Sequence, residues 1–116
     1  MSDDPREALE RVARVRGIRG AMLVSAADGL VLADVLIEGL DGRPVAALAA
    51  SLASRLQRAT GGAGLRSPVF LQLRAERGAL LAVPAGAELL VVAIADSDAN
   101  VGLARIEMRD AAERLA

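Results

Sequence analysis

Pro44-Val45-Ala46-Ala47-Leu48-Ala49-Ala50-Ser51-Leu52-Ala53-Ser54-Arg55-Leu56-Gln57-Arg58-Ala59-Thr60 is the stretch on which the fold turns. Pro44 suits the first turn of a helix, where a missing N–H leaves nothing unpaired. Val45, Leu48, Ala49, Leu52, Leu56 and Ala59 recur at helical spacing and are expected to lie on a sheet. The opposite side should then be charged. Instead Ala46, Ala47, Ala50, Ser51, Ala53 and Ser54 fill the first three turns, and no charge precedes Arg55. A helix that is apolar nearly all round is buried on more than one side. Small side chains also let a second helix approach closely. The segment is therefore expected to touch its own sheet and a copy of itself across a two-fold axis, the commonest symmetric arrangement. The competing explanation is that alanine, a strong helix former, simply stands exposed in an alanine-rich chain.

Working outward, residues 4–16 read as an amphipathic helix. Ser2 or Asp3 is available to cap it, and Leu9, Val12, Ala13 and the stem of Arg16 share its inner face. Residues 19–25 and 30–36 read as strands joined at Ala27-Asp28-Gly29, a hairpin signal. Gly61-Gly62-Ala63-Gly64 ends the middle helix. Strands are expected at 67–75, 79–84 and 88–95. The last of them, Leu89 to Ala95, is apolar on both faces and belongs at the centre of the sheet. Asp96, Ser97 and Asp98 offer caps for a final helix over 98–115, whose inner stripe is Val101, Ala104, Met108, Ala111, Ala112 and Leu115. The expected class is α+β in three layers, α-β-α, built as one domain over residues 1–116. Its order is α-β-β-α-β-β-β-α around a five-stranded antiparallel sheet. The middle helix covers one face and the terminal helices cover the other.

The strand at 67–75 alternates. Val69, Leu71 and Leu73 point one way, and Phe70, Gln72 and Arg74 the other. Pro68 is tolerated best on an edge. An edge strand carries unpaired backbone groups that a second copy could pair, unless Pro68 and Arg74 keep it solvated.

Composition excludes several chemistries. Cys and His are both 0, so disulfides, thiolate nucleophiles and the commonest general base are missing. No catalytic residue, metal ligand set or cofactor site is expected. Trp and Tyr are 0, and Phe70 is the one aromatic, which leaves little with which to stack bases. The net charge of -1 offers no overall basic field for nucleic acid. No Lys occurs, so a Walker A loop is excluded. No apolar run approaches the ~20 residues of a membrane span. No basic start leads into an apolar stretch, so a cytoplasmic location without membrane insertion is expected. Asp96-Ser97-Asp98 lacks the Gly and distal Glu of a calcium loop.

Several segments resemble the Roadblock/dynein light chain family. They are Gly17-Ile18-Arg19-Gly20-Ala21-Met22-Leu23-Val24-Ser25 and Asp28-Gly29-Leu30-Val31-Leu32-Ala33, which are similar to the family's first hairpin, and the Ala-Ala-Leu-Ala-Ala-Ser-Leu run, which is similar to its central helix. The stretches Ala79 to Gly86 and Leu89 to Val92, with Asn100, Gly102, Leu103 and Arg105, extend the resemblance over nearly the whole chain. It implies a longin-like fold and a homodimer, or a heterodimer with a homologous chain, with antiparallel central helices and adjacent third strands. Ala46, Ala50, Ala53, Ser54, Gln57, Phe70 and Gln72 are the expected interface residues. It also implies partnership with a small Ras-like GTPase whose nucleotide cycle is modulated, with Arg55, Arg58 and Ser51 as the expected binding residues. The alternative is a structural scaffold, dynein light chain-like, without effect on GTP turnover. An arginine finger from Arg43, Arg66 or Arg77 is not expected, because the resemblance points to reshaping of the GTPase's own site.

Overall fold

The run from Leu89 to Asp96 presents apolar side chains to both sides, and a strand of that kind must be covered twice. The computed structural model describes residues 4–116. Its elements are α1 (Pro5–Ala13), β1 (Ile18–Ser25), β2 (Val31–Leu36), α2 (Arg43–Gly62), β3 (Leu71–Ala75), β4 (Gly78–Ala85), β5 (Leu89–Asp96) and α3 (Val101–Leu115). The strands form one antiparallel sheet in the order β2-β1-β5-β4-β3, which puts β5 in the middle as its pattern requires. Val91, Ala93 and Ala95 join the layer made with α1 and α3, where Leu9, Val12 and Met108 are fully buried. Leu90 and Val92 join Met22, Val24 and Leu80 in the layer under α2. No polar or charged residue is buried among the described residues. The two cores are thus held by apolar burial and shape.

Several boundaries differ from the sequence reading, each for a local reason. The candidate caps Ser2 and Asp3 lie outside the described residues; Asp4 performs the task, its carboxylate accepting from the Arg6 N–H at 3.0 Å. The first helix stops at Ala13 rather than continuing to 16. Its inner face is Ala8, Leu9 and Val12, with Val15 following in the turn, while Ala13 is only half-buried and Arg16 is exposed. Gly17 then takes φ +87°, and a Cβ built there would meet Ala99 at 2.4 Å. This close approach ties the exit of α1 to the entry of α3, through Asp96 N–H to Gly17 O (2.8 Å) and Asn100 N–H to Arg16 O (3.1 Å). The third strand begins at Leu71 and not at residue 67, and Pro68 upstream has no N–H to give a ladder. Asn100, rather than Asp96, Ser97 or Asp98, caps α3 by accepting from the Leu103 N–H at 3.1 Å. Asp96 is engaged by Arg19 at 3.6 Å instead.

The β1–β2 connection positions α2. Asp28 accepts from the Leu30 N–H at 3.1 Å, and the Gly29 N–H reaches Ser25 O at 2.9 Å. Gly29 sits at φ +75°, and an added Cβ would come within 2.9 Å of the Ala47 backbone. At the other entry to α2 the cap position is Gly42, which has no side chain to offer. Asp41 compensates by accepting from the Arg43 N–H at 3.2 Å. The Arg43 guanidinium also donates to this carboxylate and holds its pKa below the ordinary value.

Gly29→Ala combines a disfavoured backbone region with a clash against α2. It is expected to cost about 2 kcal/mol, read as a lower midpoint in chemical denaturation with the slope unchanged.

Candidate interaction surface

Helix α2 sorts its residues by size: Val45 and Ala49 face the sheet as the sequence reading expects, and the rest are sorted in the opposite sense. Ala46 (0% exposed), Ala49 and Ala50 (5% exposed) lie against Met22, Val24, Leu80 and Val92 of the sheet, with Val45 and Ala53 partly buried beside them. Leu48, expected to face the sheet, is 46% exposed. Leu52 and Leu56 are only half-buried, and Ala59 is exposed. The physical reason is separation. A stripe of methyl groups lets the helix settle closer to the strands than a stripe of leucines would, and dense packing favours the closer seat. Ala46 and Ala50 are therefore covered by their own sheet and are not available to a second copy. The leucines are displaced onto the flank of the helix.

Ser51, Arg55 and Arg58 follow one another at i, i+4 and i+7 on the solvent side of α2, and all three are exposed. Neither arginine makes an ion pair among the described residues. Ala53, Ser54, Gln57 and Phe70 line a cleft of about 660 Å³. It opens between the C-terminal half of α2, the segment before β3 and the β4–β5 turn, where Glu88 is the one charged lining residue. Gln72 is exposed on β3 opposite Leu81, on the sheet face away from α2. The expected interface set thus divides among core, cleft and edge.

The two sheet edges are unlike. On β2, Leu32 is an extra residue between the Leu23–Ala33 and Val24–Val31 pairs, a bulge that interrupts the edge. Arg6 adds a second obstruction by donating from Nη1 to the Asp34 carbonyl at 3.3 Å. The β3 edge has neither device. It is five regular residues paired only to β4, with Leu73 on the α2 side 44% exposed. Leu48, Leu52 and Leu73 are the surface residues that sequence reasoning missed. A signal was present: Ala46, Ala49, Ala50 and Ala53 form a helical stripe of their own, and the smallest stripe takes the closest contact.

The fold and this surface together define a class, a three-layer α-β-α domain with one unobstructed sheet edge beside a half-exposed helix flank. The chain belongs to the Roadblock/LC7 domain family, whose model matches residues 6–95. Among curated relatives, the uncharacterized proteins MJ1340 and MJ0714 of Methanocaldococcus jannaschii are each 35% identical over 102 residues. The match covers 88% of this chain with 88% and 85% of theirs. Among solved structures, the gliding protein MglB of Thermus thermophilus is 27% identical with a TM-score of 0.84, covering 100% of this chain and 91% of that one. An MglB with tetrameric arrangement is 28% identical at a TM-score of 0.85, covering 100% and 90%. A Roadblock/LC7 domain from Streptomyces avermitilis shares the fold at a TM-score of 0.85 and 21% identity, covering 96% and 93%. No helix among the described residues is long and apolar enough to cross a membrane.

Ala50→Glu places a carboxylate between α2 and the sheet with no partner. It is expected to cost about 3 kcal/mol or more, seen as loss of cooperative thermal unfolding rather than as a clean change in oligomeric state.

Proposed function

We propose that this chain is a homodimeric Roadblock-type module of the cytoplasm that binds a small Ras-like GTPase and modulates its nucleotide cycle. It acts by binding and carries out no chemistry of its own. The observation that carries the reading is the half-exposed leucine flank of α2 together with the unobstructed β3 edge, whose Leu73 is exposed on the same side of the sheet. Covering the exposed half of a leucine is worth about 1 kcal/mol. Leu48, Leu52 and Leu73 from two protomers supply several such gains, and backbone pairing along β3 adds direction. Phe70 and Gln72 then lie beside the seam, with Ala53, Ser54 and Gln57 near it along the cleft wall.

The GTPase reading is supported by the family and by the likeness to gliding proteins. The Ser51, Arg55 and Arg58 surface is suited to an acidic partner, since arginine is enriched among residues that dominate interface energy. Two-fold pairing doubles this surface. A scaffold function without effect on GTP turnover would keep the dimer and leave turnover unchanged, so one turnover assay separates the two readings.

Leu48→Glu is expected to yield a folded monomer, as two like charges meet near the two-fold axis; light scattering gives the mass and circular dichroism the fold. A Leu48→Glu protein that stays dimeric would displace the proposed interface. Arg55→Glu with Arg58→Glu is expected to leave the dimer intact and weaken capture of a gliding-type small GTPase by about tenfold or more. That loss is measured by pull-down and by GTP turnover at increasing protein.

A further inference from the structure

The charges of this chain are segregated. Around α1 and the outer end of α3 the arginines are matched: Arg6 and Arg14 with Glu10, Arg11 and Arg114 with Asp110, and Arg19 with Asp96. Around β3 they are not. Arg66, Arg74, Arg105 and Arg109 make no ion pair among the described residues; the nearby acids Glu76, Glu107 and Glu113 pair with none of them, and Asp110 is taken by Arg11 and Arg114. The net charge of -1 therefore conceals a locally cationic face.

That face has structure. Phe70 and Arg74 share the side of the sheet that α3 covers, since Arg74 lies opposite Ala79 of the α1–α3 layer. The Arg105 guanidinium stacks over the Phe70 ring at 4.9 Å, which fixes its position. Arg109 follows one turn later on α3, and Ile106 beside them is 66% exposed. Arg66 precedes Phe70 and holds φ 68°, a left-handed conformation that a residue with a Cβ rarely adopts. The unneutralised arginines thus flank the unburied side chain of Ile106.

We propose that the α3–β3 face docks an acidic protein segment in which Asp or Glu alternates with aliphatic residues. Guanidinium forks match carboxylates in paired hydrogen bonds. Ile106 finds an apolar partner in such a segment and none on a phosphate backbone. The single aromatic already lies under Arg105, so no platform remains for bases. The apolar stripe of α3 is spent on the sheet, which leaves Leu103 and Ile106 as its exposed large apolar residues, too few for a face laid into a bilayer. This surface lies on the other side of the sheet from Ser51, Arg55 and Arg58, so the two sites are occupied independently.

The test uses the purified full chain and a fluorescein-labelled peptide of alternating Glu and Leu, followed by fluorescence anisotropy at low and moderate salt. Saturable binding that weakens with salt is expected. Arg105→Glu with Arg109→Glu should reduce affinity by about tenfold or more, while Arg43→Glu, at the far end of α2, should not. Should loss of the Phe70 contact disturb the fold, Arg74→Glu with Arg109→Glu probes the same face and leaves that stack in place. Unchanged affinity in both charge-reversed proteins overturns the proposal. So does tighter binding of single-stranded DNA, or of phosphatidylserine vesicles, than of the peptide. GTPase capture by the Arg105→Glu, Arg109→Glu protein should equal that of the parent, which separates failure here from failure of the GTPase reading.

Discussion

The close seat of α2 on its sheet governs the rest of the molecule. Ala46, Ala49 and Ala50 lie against Met22, Val24, Leu80 and Val92, with Val45 and Ala53 partly buried beside them. Alanine contributes little apolar area, so the stability of this layer comes from dense contact rather than from bulk. Gly29 belongs to the same constraint, because the β1–β2 turn passes so close to Ala47 that a single added carbon has no room. Once the alanines occupy the gap, helical geometry sends Leu48 and Leu52 to the flank. The surface that distinguishes the domain is a by-product of how its core is closed.

Most of the architecture was legible in the sequence because period and punctuation are local signals. The two-sided Leu89–Ala95 run placed β5 at the centre, and Pro68 marked β3 as an edge; both hold. The inner stripe of α3 was read correctly, with Ala104, Met108, Ala111 and Ala112 buried. The orientation of α2 was misread for a physical reason. Hydrophobicity ranks leucine above alanine for burial, whereas the geometry of close approach ranks alanine first. When a helix carries two apolar stripes, pattern alone does not say which requirement prevails. Boundaries that depend on distant partners were also out of reach. Asp96 closes β5 and pairs with Arg19, while the Asn100 N–H is held by Arg16 O, so the entry to α3 is set by residues far away in sequence.

The candidate surfaces were less legible than the fold. Ser51, Arg55 and Arg58 could be grouped from helical spacing because they lie on one element. The α3–β3 face could not, since Phe70 and Arg105 are far apart in sequence and meet only through the sheet. Total charge hid it as well. A sum over the chain weighs Arg109 and Glu10 alike, although one faces solvent without a partner and the other lies between two arginines.

The interior has a further consequence. With no carboxylate, amine, thiol or imidazole sealed inside the described residues, no buried titratable group or disulfide ties the cohesion of the two layers to pH or to thiol chemistry. The titration that does bear on the fold is at its surface: the depressed pKa of Asp41 makes its support of the α2 entry fade as pH falls. The oxidisable groups of the interior are the thioethers of Met22 and Met108, one in each layer.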